Sequence, residues 1–214
     1  MKSVIFDMDG TLLDSMPIWE KIDRRFLAEN EVKLTRSLTT LLKTLSIEEA
    51  ADFFIDEFKL PHTSEYVINR VREIAAELHE QVPIKPFVPG LLDSLDSRGI
   101  PYCIATASYP SIAKRTLQKL GLFERFQFVV TCEEVGQPKT KPDIFLEAAR
   151  RLGTLPQETA VYEDALHALV TAKNAGFYVV GVYDKMFAED WAEIVRVSDE
   201  VLGEEVTTMG CVST

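Results

Sequence analysis

The sequence predicts an α/β protein, a doubly wound parallel sheet that carries an all-α insert of four helices. Three observations predict it. A short apolar run rich in β-branched residues opens the chain, further runs of that kind alternate with helix-period stretches after residue 83, and residues 15–82 hold helical patterns with no strand-like run between them. At 214 residues there is room for one full domain and a smaller one.

The first strand is expected over Lys2–Phe6, closed by Asp7 and turned at Gly10. Four helical segments follow over residues 15–82, broken near Glu31–Thr35, Leu45–Ser46 and Leu60–Thr63, with Asp14 and Ser15 expected to cap the start of the insert. The three prolines of Pro83–Gly90 suit a stiff linker back into the sheet. Helices are then expected over Pro89–Asp96, Ser111–Leu120, Pro142–Leu152 and Ala165–Ala175, the last stopped at Gly176. Strands are expected over Tyr102–Ala105, Phe128–Val130, Ala160–Tyr162 and Tyr178–Val182. Strands that alternate with helices pair in parallel through right-handed crossovers, which gives a Rossmann-like core. The expected division is a core of residues 1–14 and 83–214 with a helical unit of residues 15–82. Residues 203–214 are polar and aperiodic, the pattern of a frayed tail.

Hydrophobic residues make up 46% of the chain and charged residues 27%, ordinary values for a globular protein. The net charge of −11 repels nucleic-acid phosphates and anionic lipid, so neither is an expected partner. No run approaches the roughly 18 apolar residues of a membrane-spanning helix, and the strand-like KSVIF begins without a cleavable apolar segment. Cys103, Cys132 and Cys211 show no ligand spacing and are odd in number, which fits a reducing compartment. A cytoplasmic monomer is therefore expected.

In open α/β sheets, ligands sit outside the carboxyl ends of the strands. There the sequence places Asp7-Met8-Asp9-Gly10-Thr11, Thr106-Ala107-Ser108 and Glu163-Asp164, with Lys139 in the loop before a helix. Asp7 and Asp9 are two apart, so on extended backbone they point the same way. Carboxylates so close repel unless a cation stands among them or one keeps a proton. With Asp164 from another strand they suit a hard divalent cation such as Mg²⁺, while Lys139 and the Thr106 hydroxyl offer donors. Donors facing a metal–carboxylate cluster describe a site for a phosphoryl group.

Four motifs stand in order on the expected strands: DMDGTLLDS, IATAS, the first lysine of KTKPDIF and VYEDA. Over nearly its whole length the chain resembles the haloacid dehalogenase superfamily, in the subgroup similar to β-phosphoglucomutase and phosphoglycolate phosphatase, whose helical cap is inserted after the first strand. The resemblance implies that Asp7 is a nucleophile that becomes an aspartyl phosphate, and that Asp9 protonates the leaving oxygen and then activates water. It implies Mg²⁺ held by Asp7, the Asp9 carbonyl and Asp164, with Glu163 close behind, and phosphate held by Thr106, the Ala107 amide and Lys139. Lys139 is preferred to Lys141 because the family's lysine stands three residues before the Pro-Asp pair, here Pro142-Asp143.

The expected activity is Mg²⁺-dependent hydrolysis of a small phosphorylated metabolite. A sugar phosphomutase shares every core motif and is the alternative, with a phosphometabolite-binding protein as a third reading. Dehalogenation is disfavoured, since a halide leaving group needs no acid and Asp9 is present. Aligned on their flanks, the cap histidine, arginine and lysine of the mutases fall at Trp19, Ile47 and near Glu77, so polar support for a second phosphate is missing. Ser108 and Trp19 are candidate substrate contacts, and Trp19 serves equally well as core. His62, His79 and His167 share no ligand spacing and are read as surface or helix residues.

Overall fold

A computed structural model describes residues 1–42, 45, 47–78 and 82–203. Its sheet has six strands in the order β3-β2-β1-β4-β5-β6, each neighbouring pair parallel. β1 (Ser3–Phe6) is central, flanked by β2 (Tyr102–Thr106) and β4 (Thr159–Glu163). β3 (Val129–Thr131) lies outside β2, and β5 (Tyr178–Val182) and β6 (Glu200–Leu202) lie outside β4. From β1 the chain winds outward to β3 and then crosses back to β4, so the order reverses between β1 and β4. That reversal opens a crevice at the carboxyl ends of the two strands.

The side-chain period of two divides the interior between the two faces. Val4 and Phe6, Tyr102 and Ile104, and Ala160 point into one cluster with α5 (Val88–Ser97) and α6 (Pro110–Lys119). Ile5, Cys103, Ala105 and Val161 point into the other, against α8 (Asp143–Leu152), α9 (Leu166–Asn174) and α10 (Trp191–Val197). All four residues of β1 are buried, which explains why it reads as a continuous apolar run rather than an alternating one.

The helical insert comprises α1 (Met16–Glu29), α2 (Arg36–Leu42), α3 (Ile47–Phe58) and α4 (Ser64–Leu78). Phe26 of α1 stacks on Phe54 of α3, and Arg70 and Arg25 tie α4 to α1 through Glu29 and Glu77. The apolar interior of the insert runs without a break into one sheet face, through Met8, Leu12, Leu13, Ile18 and Ile22. The two chain crossings are paired: Asp14 N–H donates to the Pro83 carbonyl at 2.9 Å, and Lys85 N–H to that of Leu12 at 2.9 Å. Lys85, 8% exposed, then reaches the Tyr183 carbonyl at 2.7 Å and the Asp184 carboxylate at 3.0 Å. The returning linker is thus pinned to the end of β5 by a buried ion pair.

The structure departs from the sequence expectation at three places. The expected cap at Ser15 is not formed: its side chain makes no capping hydrogen bond and its Oγ is buried without a partner, while Pro17 in the first turn and the Asp14–Pro83 pairing set the start of α1. α7 (Cys132–Val135) is a single turn, capped by the Thr131 hydroxyl, which accepts from Glu134 N–H at 3.1 Å. α10 and β6 extend the fold beyond β5, in a stretch for which the sequence predicts no element. β6 is a three-residue edge strand, too short for a period to show. Of the expected tail, residues 204–214 lie outside the described residues.

Candidate active site

The residues of the crevice follow from where each strand stops. Asp7 comes one residue after β1, and its N–H donates to the Tyr162 carbonyl of β4 at 2.9 Å, which fixes it opposite Glu163 and Asp164. Beyond it, the Met8 carbonyl accepts from Leu12 and Leu13 N–H, and Gly10 N–H donates to the Leu13 carbonyl at 2.9 Å. This tight turn needs Gly10 at φ +85°, and a Cβ there would lie 2.1 Å from Asp164 Oδ2. Gly10→Ala is therefore expected to displace Asp164 and to lower kcat by about 100-fold, the scale of an ångström misplacement at a reacting centre. Steady-state kinetics beside thermal melts check this, the fall in kcat exceeding anything a small loss of stability explains.

Asp7, Glu163 and Asp164 each offer a carboxylate oxygen within 4.8 Å of the others, and all three residues are buried. The ammonium of Lys139, itself buried, donates to Asp7 Oδ1 and, at 2.7 Å, to Glu163 Oε2. The other Glu163 oxygen accepts from the N–H groups of Asp164 and Ala165 at 3.1 Å each. Thr11 Oγ1 donates to Asp164 Oδ1 at 3.0 Å, whereas Asp164 Oδ2 is buried with no hydrogen-bond partner. Lys141 is exposed.

Three carboxylates against one ammonium leave an excess of buried negative charge, and the acid groups show it. Burial, then the charge of Glu163, pushes Asp7 up to about 8 against the pull of Lys139. Burial, Glu163 and Asp7 also hold Asp164 well above the usual carboxylate range. Burial opposes the charge on Lys139, but Asp7 and Glu163 outweigh it and hold its ammonium above its ordinary range. The bare Asp164 Oδ2, the all-oxygen donor set and the space left by the missing side chain of Gly10 fit a hard divalent cation.

At the β2 edge, buried Thr106 accepts from Ser108 N–H at 2.9 Å, which leaves the Thr106 hydroxyl proton free to donate elsewhere. Ser108 Oγ donates to Asp9 Oδ2 at 2.5 Å. Ala107 between them is exposed. Trp19 is half-buried and packs against the main apolar cluster. A cleft of about 790 Å³ runs beside the site. Glu20, Arg24, Thr35 and Thr39 line its insert side, and Thr140 and His167, close in sequence to Lys139 and Asp164, line its core side. Burial keeps the His167 imidazole below its usual range. His62 bonds Asn30 and stacks on Tyr66, on the insert; His79 lies outside the described residues.

Several charged residues of the insert have surroundings that no sequence pattern shows. Asp23, one helical turn after Trp19, is pushed up to about 7 by burial and by Glu20. Glu77, where the sequence seeks a cap cation, pairs with Arg25 instead. The cation that α4 does bring to the core is Arg72, whose guanidinium carbon lies 3.7 Å from the centre of the Tyr109 ring. No motif marks Arg72 or Tyr109, because their meeting is a contact between distant helix and loop rather than a spacing.

The family of haloacid dehalogenase-like hydrolases matches residues 4–182. The chain is 32% identical over 93% of its length to (DL)-glycerol-3-phosphatase 1, mitochondrial, of Arabidopsis thaliana, covering 68% of that protein. It is 32% identical over 85% of its length to hexitol phosphatase A of Escherichia coli, covering 82% of it. Among solved structures, a putative β-phosphoglucomutase from Thermotoga maritima superposes with a TM-score of 0.76 at 25% identity, over 94% of each chain. The chain belongs to the haloacid dehalogenase-like hydrolases. Within them it falls in the subgroup of β-phosphoglucomutase and phosphoglycolate phosphatase, and it is a phosphoric monoester hydrolase.

Proposed function

We propose that the chain hydrolyses a small phosphorylated metabolite by transfer of the phosphoryl group to Asp7 and then to water. The observation that carries this reading is the convergence of Asp7, Asp164 and Lys139 in one buried crevice with Asp9 at its mouth. Asp7, Asp164 and the Asp9 carbonyl are the residues that would hold Mg²⁺, which when bound neutralises the buried charge and that of the phosphoryl oxygens. Both Glu163 oxygens are already taken by donors, so Glu163 serves to orient Lys139 and the Asp164 backbone.

Asp7 attacks phosphorus, and the ester oxygen leaves with a proton from Asp9. Asp9, now ionised, takes a proton from the water that attacks the aspartyl phosphate, which frees phosphate, restores the Asp7 carboxylate and returns Asp9 to its protonated form. Lys139, Thr106 and the Ala107 amide stabilise the oxygens of the group in transfer. Ser108 Oγ donates to the Asp9 carboxylate and orients it for the ester oxygen. The helical unit of residues 15–82 acts as a cap over the crevice, Trp19 walls it, and closure excludes bulk water.

The hydroxyls and charges of the adjoining cleft suit a polyhydroxylated leaving group, in keeping with the polyol phosphates named for two relatives. The free thiols of Cys103 and Cys132 fit the cytoplasm, and the large exposed apolar side chains are scattered over several elements, which fits a monomer.

A mutase is the second reading, favoured by the Thermotoga maritima neighbour. Against it stand Ile47 and Glu77 at the places of the mutase cations. Phosphate release is to be followed over polyol phosphates, sugar phosphates, phosphoglycolate and nucleotides, with and without Mg²⁺. In a second assay, β-glucose 1-phosphate is supplied with a trace of the 1,6-bisphosphate. Free phosphate is expected in both. Conversion to glucose 6-phosphate without phosphate release would overturn hydrolysis in favour of the mutase.

Asp9→Asn is expected to slow hydrolysis of an alkyl phosphate by about 10²- to 10⁴-fold, and of an activated aryl phosphate far less, since a good leaving group needs little protonation. Parallel kcat measurements on glycerol phosphate and p-nitrophenyl phosphate check this. Equal losses would remove the acid role from Asp9.

A further inference from the structure

The loop that carries Ser108 is clasped from the insert. Tyr109, 8% exposed, follows Ser108 directly and precedes α6. Arg72 of α4 lies over its ring at 3.7 Å, and its hydroxyl donates to Glu48 Oε1 of α3 at 3.2 Å. Two helices of the insert therefore hold one aromatic side chain of the core. Arg72 Nε is buried without a hydrogen-bond partner, so the ring face stands in for the solvent that guanidinium has lost there.

What this clasp controls lies one residue away. Ser108 Oγ holds Asp9 at 2.5 Å, and Ser108 N–H is itself fixed by Thr106 Oγ1 at 2.9 Å. A shift of Tyr109 moves the Ser108 backbone, and with it the direction in which the Asp9 carboxyl points. We propose that Arg72 is a positioning residue: seated on Tyr109, with Glu48 on its hydroxyl, it sets Ser108 and Asp9 for proton transfer only while the insert is docked on the core. The insert thereby reports its own closure to the acid, through a contact that breaks when the insert lifts. This rests on the reading of Asp9 as the group that protonates the leaving oxygen.

The contact makes a distinctive kinetic demand. Loss of Arg72 leaves Asp7, Lys139 and the carboxylate cluster in place, so steps that need no acid continue. Arg72→Met keeps the apolar stem and removes the cation. It is expected to lower kcat on glycerol phosphate about tenfold, as the loss of a desolvated cation–π contact implies, with KM within twofold and kcat on p-nitrophenyl phosphate nearly unchanged. Arg72→Lys, which restores a cation over the ring, is expected to recover most of the loss, and Tyr109→Phe, which keeps the ring under Arg72 and loses the hydroxyl that bonds Glu48, to show a smaller effect of the same selectivity.

The experiment measures kcat and KM for these three variants and Asp9→Asn on both esters, with thermal melts to confirm that each is folded. Equal losses on both esters, or a change confined to KM, would overturn the positioning role and make Arg72 a structural or substrate-binding residue. If Arg72→Met does not fold, the Tyr109→Phe and Arg72→Lys selectivities decide the matter by the same criterion. An Asp9→Asn variant without leaving-group selectivity would instead remove the functional reading on which the inference rests.

Discussion

Asp7→Asn is expected to fold and to lose at least about 10⁴-fold in kcat, the scale seen when a covalent nucleophile is removed. An amide nitrogen cannot accept the phosphoryl group, and the residue sits where no neighbour can replace it. Asp9 is engaged by Ser108, and both oxygens of Glu163 are engaged by donors. The fold should tolerate the change, because Asn is isosteric and removes one of three crowded negative charges. Its Tm in the absence of divalent cations is therefore expected to equal or exceed that of the parent. Phosphate release near the parental rate would show that Asp7 is not the acceptor.

Lys139→Met is expected to show the largest effect on stability. The ammonium is the one cation in contact with Asp7 and Glu163 among the described residues, and all three groups are buried. Removing one partner of a buried ion pair while leaving the other in place costs about 3–5 kcal/mol. At about 2–4 °C per kcal/mol for a chain of this size, Tm is expected to fall on the order of 10 °C. Mg²⁺ is expected to recover part of that loss and a chelator to restore it, because a bound cation supplies the missing positive charge. Catalysis should not recover, since the donor to the phosphoryl oxygens is gone. A melt in chelator unchanged from the parent would show that Lys139 does not hold the carboxylate cluster together.

The core of this site is legible in the sequence because strand ends put it there. Asp7, Thr106, Glu163 and Asp164 are each the last residue of a parallel strand or the one after it, and a strand is visible as a short apolar run. Lys139 is distinguished from Lys141 by its place before Pro142-Asp143, and in the fold only Lys139 is buried among the carboxylates. The four helices of the insert are legible too, since helix-period patterns succeed one another after β1 with no strand-like run between them.

What stays hidden depends on contacts between distant segments. The clasp of Tyr109 by Arg72 and Glu48 joins residues that share no spacing, and the buried partners Lys85 and Asp184 are 99 residues apart. Ser15 shows the opposite failure: a residue of the right type for a cap makes no cap, because the pairing of Asp14 with Pro83 fixes the backbone there first. β6 escapes notice for want of length, its three residues being held by pairing with β5 rather than by any pattern of their own.

The most direct test is to look for the phosphoryl group on the enzyme. The protein is mixed with Mg²⁺ and glycerol phosphate, quenched in acid within the first turnover, digested, and its peptides weighed. The peptide containing Asp7 is expected to carry one added phosphoryl group, sensitive to hydroxylamine as an acyl phosphate must be, and to lose it as free phosphate appears. Phosphate release with no label on that peptide, at any quench time, would contradict transfer through Asp7.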